Sequence, residues 1–148
     1  MSTDAKVAKQ ILETLEDGKN GFAKGADKLA ETDAPQLADT FRRYSAQRAQ
    51  FAKEIEQLGQ SYGDPVESSG SVAAAVHRGW LSLKDALAGS SPRGILEAAE
   101  EGEDHAVSEY EKALKEEVTG GFRELLERQF TEVTAAHAEV RTLRDAQA

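Results

Sequence analysis

The sequence contains no cysteine among its 148 residues. Disulfide bridges, thiolate metal ligands and iron–sulfur clusters are therefore excluded, and any bound metal must be held by carboxylate and imidazole groups. Proline is also scarce, with 3 residues, and aromatic residues make up only 6% of the chain. Because proline breaks helices and sheets favour aromatic and β-branched residues, this composition predicts long helices rather than sheets.

Long apolar runs are absent as well. No stretch approaches the roughly 20 consecutive apolar residues that a membrane-spanning helix needs, and the opening MSTDAKVAKQ lacks the apolar run of a signal peptide. We therefore expect a cytoplasmic protein without a membrane partner. The formal net charge of −9 would repel phosphate groups along most approaches, so nucleic acid is not an expected partner either. At this length, a single domain over residues 1–148 is expected.

The chain does contain clear helical periodicity. Apolar residues recur at spacings of three and four and predict helices over about 4–31, 34–58, 71–88, 92–117 and 121–145. The short links between the first two and the last two helices predict two antiparallel hairpins. The glycine-, proline- and serine-rich residues 59–70 carry no period and predict a loop. The predicted architecture is a hairpin, a crossover with an additional helix, and a second hairpin.

Three glycines, Gly18, Gly21 and Gly25, lie within the first predicted helix. Each costs about 1 kcal/mol relative to alanine in a helix interior. Their presence therefore predicts the close approach of a neighbouring backbone or a bulky side chain.

A compact cluster, His77, Arg78 and Trp80, lies in the predicted crossover helix, and it includes the only tryptophan of the chain. One interpretation is that Trp80 anchors this helix by burying its ring, while His77 and Arg78 lie at the edge. The alternative is a surface that binds a partner through aromatic and arginine side chains.

Two charged residues interrupt apolar stripes. Glu103 lies within the apolar stripe of the fourth predicted helix, and Arg48 lies in the middle of the apolar stripe of the second predicted helix. A lone buried carboxylate costs several kcal/mol, so Glu103 needs a metal, a cation or a hydrogen-bond donor. A guanidinium group facing it would satisfy both charges, which predicts a structural salt bridge, with Gln129 as a further polar core residue. The alternative is a substrate anion or a single metal that also uses this pair.

Five segments of the chain together resemble a bacterial family of small ferritin-like four-helix-bundle proteins of unknown function. They are DGKNGF (17–22), QRAQFAKEI (47–55), GSVAAAVHRGW (70–80), EEGEDHA (100–106) and ERQFTEVTAAHAEV (127–140). The resemblance covers nearly the whole chain. It implies an all-α, up-down-down-up bundle with an additional helix in the long crossover, and it implies no established activity.

The chain departs from the active ferritin-like oxidases, which hold two irons with a Glu from each of two helices and a Glu-x-x-His from each of the other two. Arg48 and Phe51 occupy the positions of one Glu-x-x-His, and Thr134 to His137 keeps only the imidazole of the other. His105, two positions after Glu103, is expected at the surface. The carboxylate and imidazole ligands that remain as candidates for iron, manganese or zinc are Glu16, Glu100, Glu103 and His137.

These observations favour a non-catalytic ferritin-like bundle, stress-associated or an interaction module, whose metal centre has been replaced by polar packing around Arg48. The first alternative is a metal-binding protein with redox or storage chemistry by family analogy. A second alternative is a homodimeric scaffold, or a module that binds a small apolar ligand in its core.

Overall fold

The computed structural model describes residues 3–61, 79–89 and 91–147, and within them it contains five α-helices and no strand. The helices are α1 (Thr3–Leu29), α2 (Gln36–Ser61), α3 (Leu83–Gly89), α4 (Pro92–Leu114) and α5 (Gly120–Asp145). The predicted all-α class is thereby confirmed. None of the described helices is both long and apolar enough to cross a membrane.

The four long helices begin and end within a few residues of their predicted bounds. α4 begins as expected, because Ser91 Oγ accepts a hydrogen bond from the Gly94 N–H at 3.3 Å and Pro92 occupies the first turn. α1 ends where Thr32 Oγ1 donates to the carbonyl oxygen of Leu29 at 2.7 Å. That bond satisfies a carbonyl group that the end of the helix would otherwise leave unpaired.

The crossover differs from the prediction. A continuous helix was expected over about 71–88, but residues 62–78 lie outside the described part and α3 begins only at Leu83. Gly79 has a φ of +75°, a left-handed conformation that interrupts a right-handed helix. The Leu83 N–H then donates to the Trp80 carbonyl at 3.2 Å and starts α3.

α1 and α2 run antiparallel, since Gly18 faces Arg48 and Gly25 faces Phe41. The expectation that bulky groups approach the α1 glycines is confirmed. A β-carbon on Gly18 would lie 3.4 Å from Arg48. One on Gly21 would lie 2.5 Å from Trp80, and one on Gly25 would lie 2.8 Å from Phe41.

α4 and α5 also run antiparallel, because Tyr110 contacts Gln129 while Glu100 contacts Arg144. The turn between these helices is tied to the start of the chain. The Thr119 N–H donates to Asp4 Oδ1 at 3.0 Å, and its hydroxyl donates to Asp4 Oδ2 at 2.7 Å. A residue of the first turn of α1 therefore binds the residue that precedes α5.

Two apolar clusters fill the interior between the long helices. The first includes Phe22, Phe41, Trp80, Leu83, Ile95, Leu96 and Val140. The second includes Ile11, Leu15, Phe51, Ile55, Tyr110, Leu126 and Val133. Between the two clusters, α1, α2 and α4 each bury one acidic or basic side chain: Asp17 (0% exposed), Arg48 (1%) and Glu103 (0%). We call these three residues the polar layer.

Candidate functional site

Arg48 and Glu103 form a two-pronged ion pair at the centre of the molecule. Arg48 Nη1 donates to Glu103 Oε1 at 2.6 Å, and Nη2 donates to Oε2 at 2.7 Å. Both carboxylate oxygens are therefore engaged by one guanidinium group, in the fork geometry that makes such pairs both strong and directional. The salt bridge links α2 to α4 across the interior.

The neighbours of Arg48 are suited to its shape and its charge. Gly18 leaves room for the side chain, since a β-carbon there would lie 3.4 Å from Nη1 and 3.5 Å from Cγ. The guanidinium carbon lies 5.4 Å from the centre of the Phe22 ring, within the range of a cation–π contact. Arg48 Nε donates to Gln47 Oε1 at 3.2 Å. The buried cation thus has polar partners on both sides of its fork.

Burial and the neighbouring charges shift the pKa values of Arg48 and Tyr110. Burial by itself would lower the pKa of Arg48, but the negative charge of Glu103 and its hydrogen bonds together outweigh burial and raise that pKa. Burial also raises the pKa of the Tyr110 hydroxyl, although the nearby charge of Arg48 opposes that shift. The guanidinium group is therefore charged and Tyr110 is neutral at physiological pH.

Gln129 of α5 forms a second group of buried polar contacts. The Tyr110 hydroxyl donates to Gln129 Oε1 at 2.7 Å. Gln129 Nε2 in turn donates to the Phe51 carbonyl at 3.2 Å and to Glu54 Oε1 at 3.1 Å. Both ends of this buried amide are paired, which is what a polar group in a core requires.

The four candidate metal ligands have separate partners. Glu103 pairs with Arg48, while one oxygen of Glu100 accepts from Arg144 Nη1 at 2.7 Å. His137 Nε2 lies 2.5 Å from Asp104 Oδ1, and Glu16 lies 3.4 Å from Lys19 Nζ in the next turn of α1. Within the described ranges, no three or more histidine, aspartate and glutamate side chains are grouped as metal ligands would be.

Trp80 is a core residue in this structure, with 2% of its surface exposed, and so it does not contribute to an exposed partner surface. Its ring lies between α1 and α4, because β-carbons on Gly21 and Gly102 would lie 2.5 Å and 2.2 Å from ring atoms. His77 and Arg78 lie outside the described residues. His105, expected at the surface, is half-buried because Gly79 packs against it.

Two features of the site are not among the sequence predictions. Gly102 falls within the apolar stripe of α4, and a mid-helix glycine at a core position is a signal for the close packing of Trp80. The pairing of His137 with Asp104 has no such signal, because it depends on how α5 is positioned along α4. Sequence periodicity gives the face of a helix and not its axial offset against a neighbour.

Residues 5–116 match a family described as a domain of unknown function, DUF2383. The match includes the polar layer and most of α1 to α4, and it ends before α5. No curated protein matches the chain. Because the matched region spans most of the 148 residues, the chain belongs to the DUF2383 family.

Proposed function

We propose that this protein is a ferritin-like bundle in the up-down-down-up arrangement, in which the Arg48–Glu103 ion pair has replaced a metal centre. Its role is then interaction with a partner rather than catalysis. The single observation that carries this proposal is the enclosed, two-pronged bond between Arg48 and Glu103.

The directions of the helices support the ferritin-like arrangement. α1 is antiparallel to α2, and it is also antiparallel to α4, because Gly21 and Gly102 flank the same ring while Gly25 lies beside Ile95. α2 and α4 consequently run in the same direction, although they are consecutive long helices among those described. A long crossover between two hairpins is the connection that produces this arrangement.

The metal ligands that the ferritin-like resemblance implies do not fit the residues present. Both oxygens of Glu103 are bound by a guanidinium group, and the pKa of Arg48 is raised, so its positive charge persists. Phe51, which is 4% exposed, contributes an apolar ring where the resemblance calls for an imidazole. A cation held within the site opposes the binding of another by direct repulsion.

The enclosure of the pair supports a role outside catalysis. Arg48 and Glu103 have side-chain exposures of 1% and 0%, so neither group reaches solvent where it could meet a substrate. The nearby hydroxyl of Tyr110 is also fully buried and donates to Gln129. The Arg48–Glu103 pair therefore serves to hold the helices together rather than to act on a substrate.

Elemental analysis of protein purified without chelator tests the proposal. We expect no stoichiometric iron, manganese or zinc in the unaltered chain, in Glu103→Ala, or in Glu111→Ala, the control for an exposed carboxylate on the same helix. One metal per chain that is lost in Glu103→Ala and kept in Glu111→Ala would overturn the proposal. That result would support the metal-binding alternative instead.

A gain-of-ligand variant sharpens the same test. The double change Arg48→Glu/Phe51→His restores the Glu-x-x-His spacing on α2 and removes the cation that neutralises Glu103. We expect added Fe²⁺ or Mn²⁺ to raise the melting temperature of this variant, because a metal bound only by the folded state stabilises it. The unaltered chain should show no such rise.

A further inference from the structure

The indole ring of Trp80 occupies a slot between two helices. Gly21 of α1 lies on one side, where a β-carbon would come within 2.5 Å of two ring carbons. Gly102 of α4 lies on the other side, where a β-carbon would come within 2.2 Å of Cε2 and 2.5 Å of Nε1. The Phe22 ring closes the slot edge-on, with ring centres 5.1 Å apart and planes at 74°. The ring fits between the two helices only because both positions are glycine and carry no β-carbon.

Within the described residues, the short segment that carries Trp80 has only a few buried side chains. Of residues 79–89, Trp80 and Leu83 are buried in the first apolar cluster, while Ala86 and Leu87 pack against its edge. Leu81 is 66% exposed, although it follows Trp80 directly. The Ser82 hydroxyl donates to Glu101 at 2.7 Å in an exposed contact, which adds little stability. Among the described contacts, the docking of this segment therefore depends mainly on two buried side chains, the Trp80 ring and Leu83.

The rest of the bundle has packing that does not involve this segment. The second apolar cluster contains no residue of 79–89, and the Arg48–Glu103 bond joins α2 to α4 without it. Segments with few buried contacts open at a lower free energy than the core they lie on. The second cluster and the ion pair therefore hold the four long helices together through contacts that do not include the indole ring.

We propose that residues 79–89 form a latch, in which Trp80 enters and leaves the slot between Gly21 and Gly102 while the four long helices remain folded. Gly102 is adjacent to Glu103, and Gly21 lies one turn along α1 from Gly18, which contacts Arg48. An open latch therefore exposes the side of the polar layer that the closed latch covers. The vacated slot has the shape to accept a flat aromatic molecule.

Urea unfolding of the full chain tests the latch, because Trp80 is the only tryptophan and its fluorescence reports on this slot alone. We expect the fluorescence transition to have a midpoint at least about 0.5 M below the loss of helical circular dichroism. Coincident midpoints would mean that the ring leaves only when the bundle unfolds, and the proposal would be overturned.

Alanine substitutions at Gly21 and Gly102 distinguish the opening of the latch from the unfolding of the bundle. Gly21→Ala and Gly102→Ala each place a methyl group where the ring lies, so we expect the fluorescence midpoint to fall further. The helical midpoint should hold or rise, because alanine favours the helix more than glycine does. Gly120→Ala is the matched control, since a β-carbon there meets nothing within 4 Å. Equal falls in both midpoints for the slot variants would contradict the latch.

Indole is the probe for the vacated slot. In Trp80→Ala, which removes the ring but keeps both glycines, we expect indole to raise the melting temperature followed by circular dichroism. The unaltered chain and Leu81→Ala, in which Trp80 still fills the slot, should not respond. An indole response equal in all three proteins would argue against a slot specific to this ring, and so would no response in Trp80→Ala.

Discussion

Glu100 and Glu103 lie one turn apart on α4, and each carboxylate is paired with an arginine. The Glu103 side chain is 0% exposed and its partner Arg48 is 1% exposed, whereas the Glu100 and Arg144 side chains are 14% and 25% exposed. The central pair, Arg48 and Glu103, is shielded from water. The rim pair, Glu100 and Arg144, remains partly exposed to water. We therefore expect changes to the central ion pair to alter the free energy of unfolding much more than changes to the rim pair.

The largest expected effect on the free energy of unfolding comes from breaking the central Arg48–Glu103 pair. Arg48→Met should lower the free energy of unfolding by about 3–5 kcal/mol, because it leaves the Glu103 carboxylate buried without a partner. The double change Arg48→Met/Glu103→Leu should recover much of that loss by removing the orphaned charge. Chemical denaturation of the single and double variants measures both values. A double variant no more stable than Arg48→Met would show that the two side chains do not act as a pair.

An intermediate effect is expected at high pH. Burial raises the pKa of Tyr110 at the centre, and burial followed by the hydrogen bond to Glu139 raises that of Tyr44 near the rim. Both hydroxyls are neutral when folded, and ionise in the unfolded chain near pH 10. Stability is therefore fully present below about pH 10 and is lost as the pH rises above it, by at most about 1.4 kcal/mol per pH unit for each tyrosine.

The variants Tyr110→Phe and Tyr44→Phe show how much each tyrosine contributes to the loss of stability at high pH. Each variant should reduce the slope of stability against pH above about pH 10 by the share of one tyrosine, as measured by urea denaturation at several pH values. At neutral pH, Tyr110→Phe should be the more costly of the two, because it leaves the buried Gln129 oxygen without its donor. Equal costs at neutral pH would weaken the contrast between centre and rim.

The smallest effect is expected at the rim. Glu100→Gln removes the charge that faces Arg144 but keeps a hydrogen-bond acceptor within reach of water. Its effect on the urea midpoint should be less than about a fifth of that of Arg48→Met, and it should shrink as salt is added. An effect as large as that of Arg48→Met would mean that solvent exposure does not separate these two pairs.

The helices could be predicted from the sequence because each long helix carries its own apolar stripe. The cost of glycine in a helix likewise predicted close neighbours for Gly18, Gly21 and Gly25, since a local penalty requires a tertiary reason. Charged residues within two stripes pointed to Arg48 and Glu103 as interior residues for the same reason.

The crossover and the rim contacts could not be predicted in this way. The left-handed conformation of Gly79 and the path of Trp80 into its slot depend on surfaces supplied by α1 and α4, which the local pattern of residues 71–88 does not contain. The partners of Glu100 and His137 depend on the axial offset of α5. Such offsets are fixed by the packing of whole helices rather than by any one segment.

The tie between Asp4 and Thr119 has a practical consequence for anyone trimming this protein. The family match stops at residue 116, yet α5 starts four residues later and inserts Phe122, Leu126, Val133 and Val140 into the interior. A chain shortened to residues 5–116 would expose the apolar faces of the other helices that α5 covers, and it would lack both Asp4 and Thr119. Recombinant versions should therefore extend to the end of the last helix and carry any affinity tag there, away from the first turn.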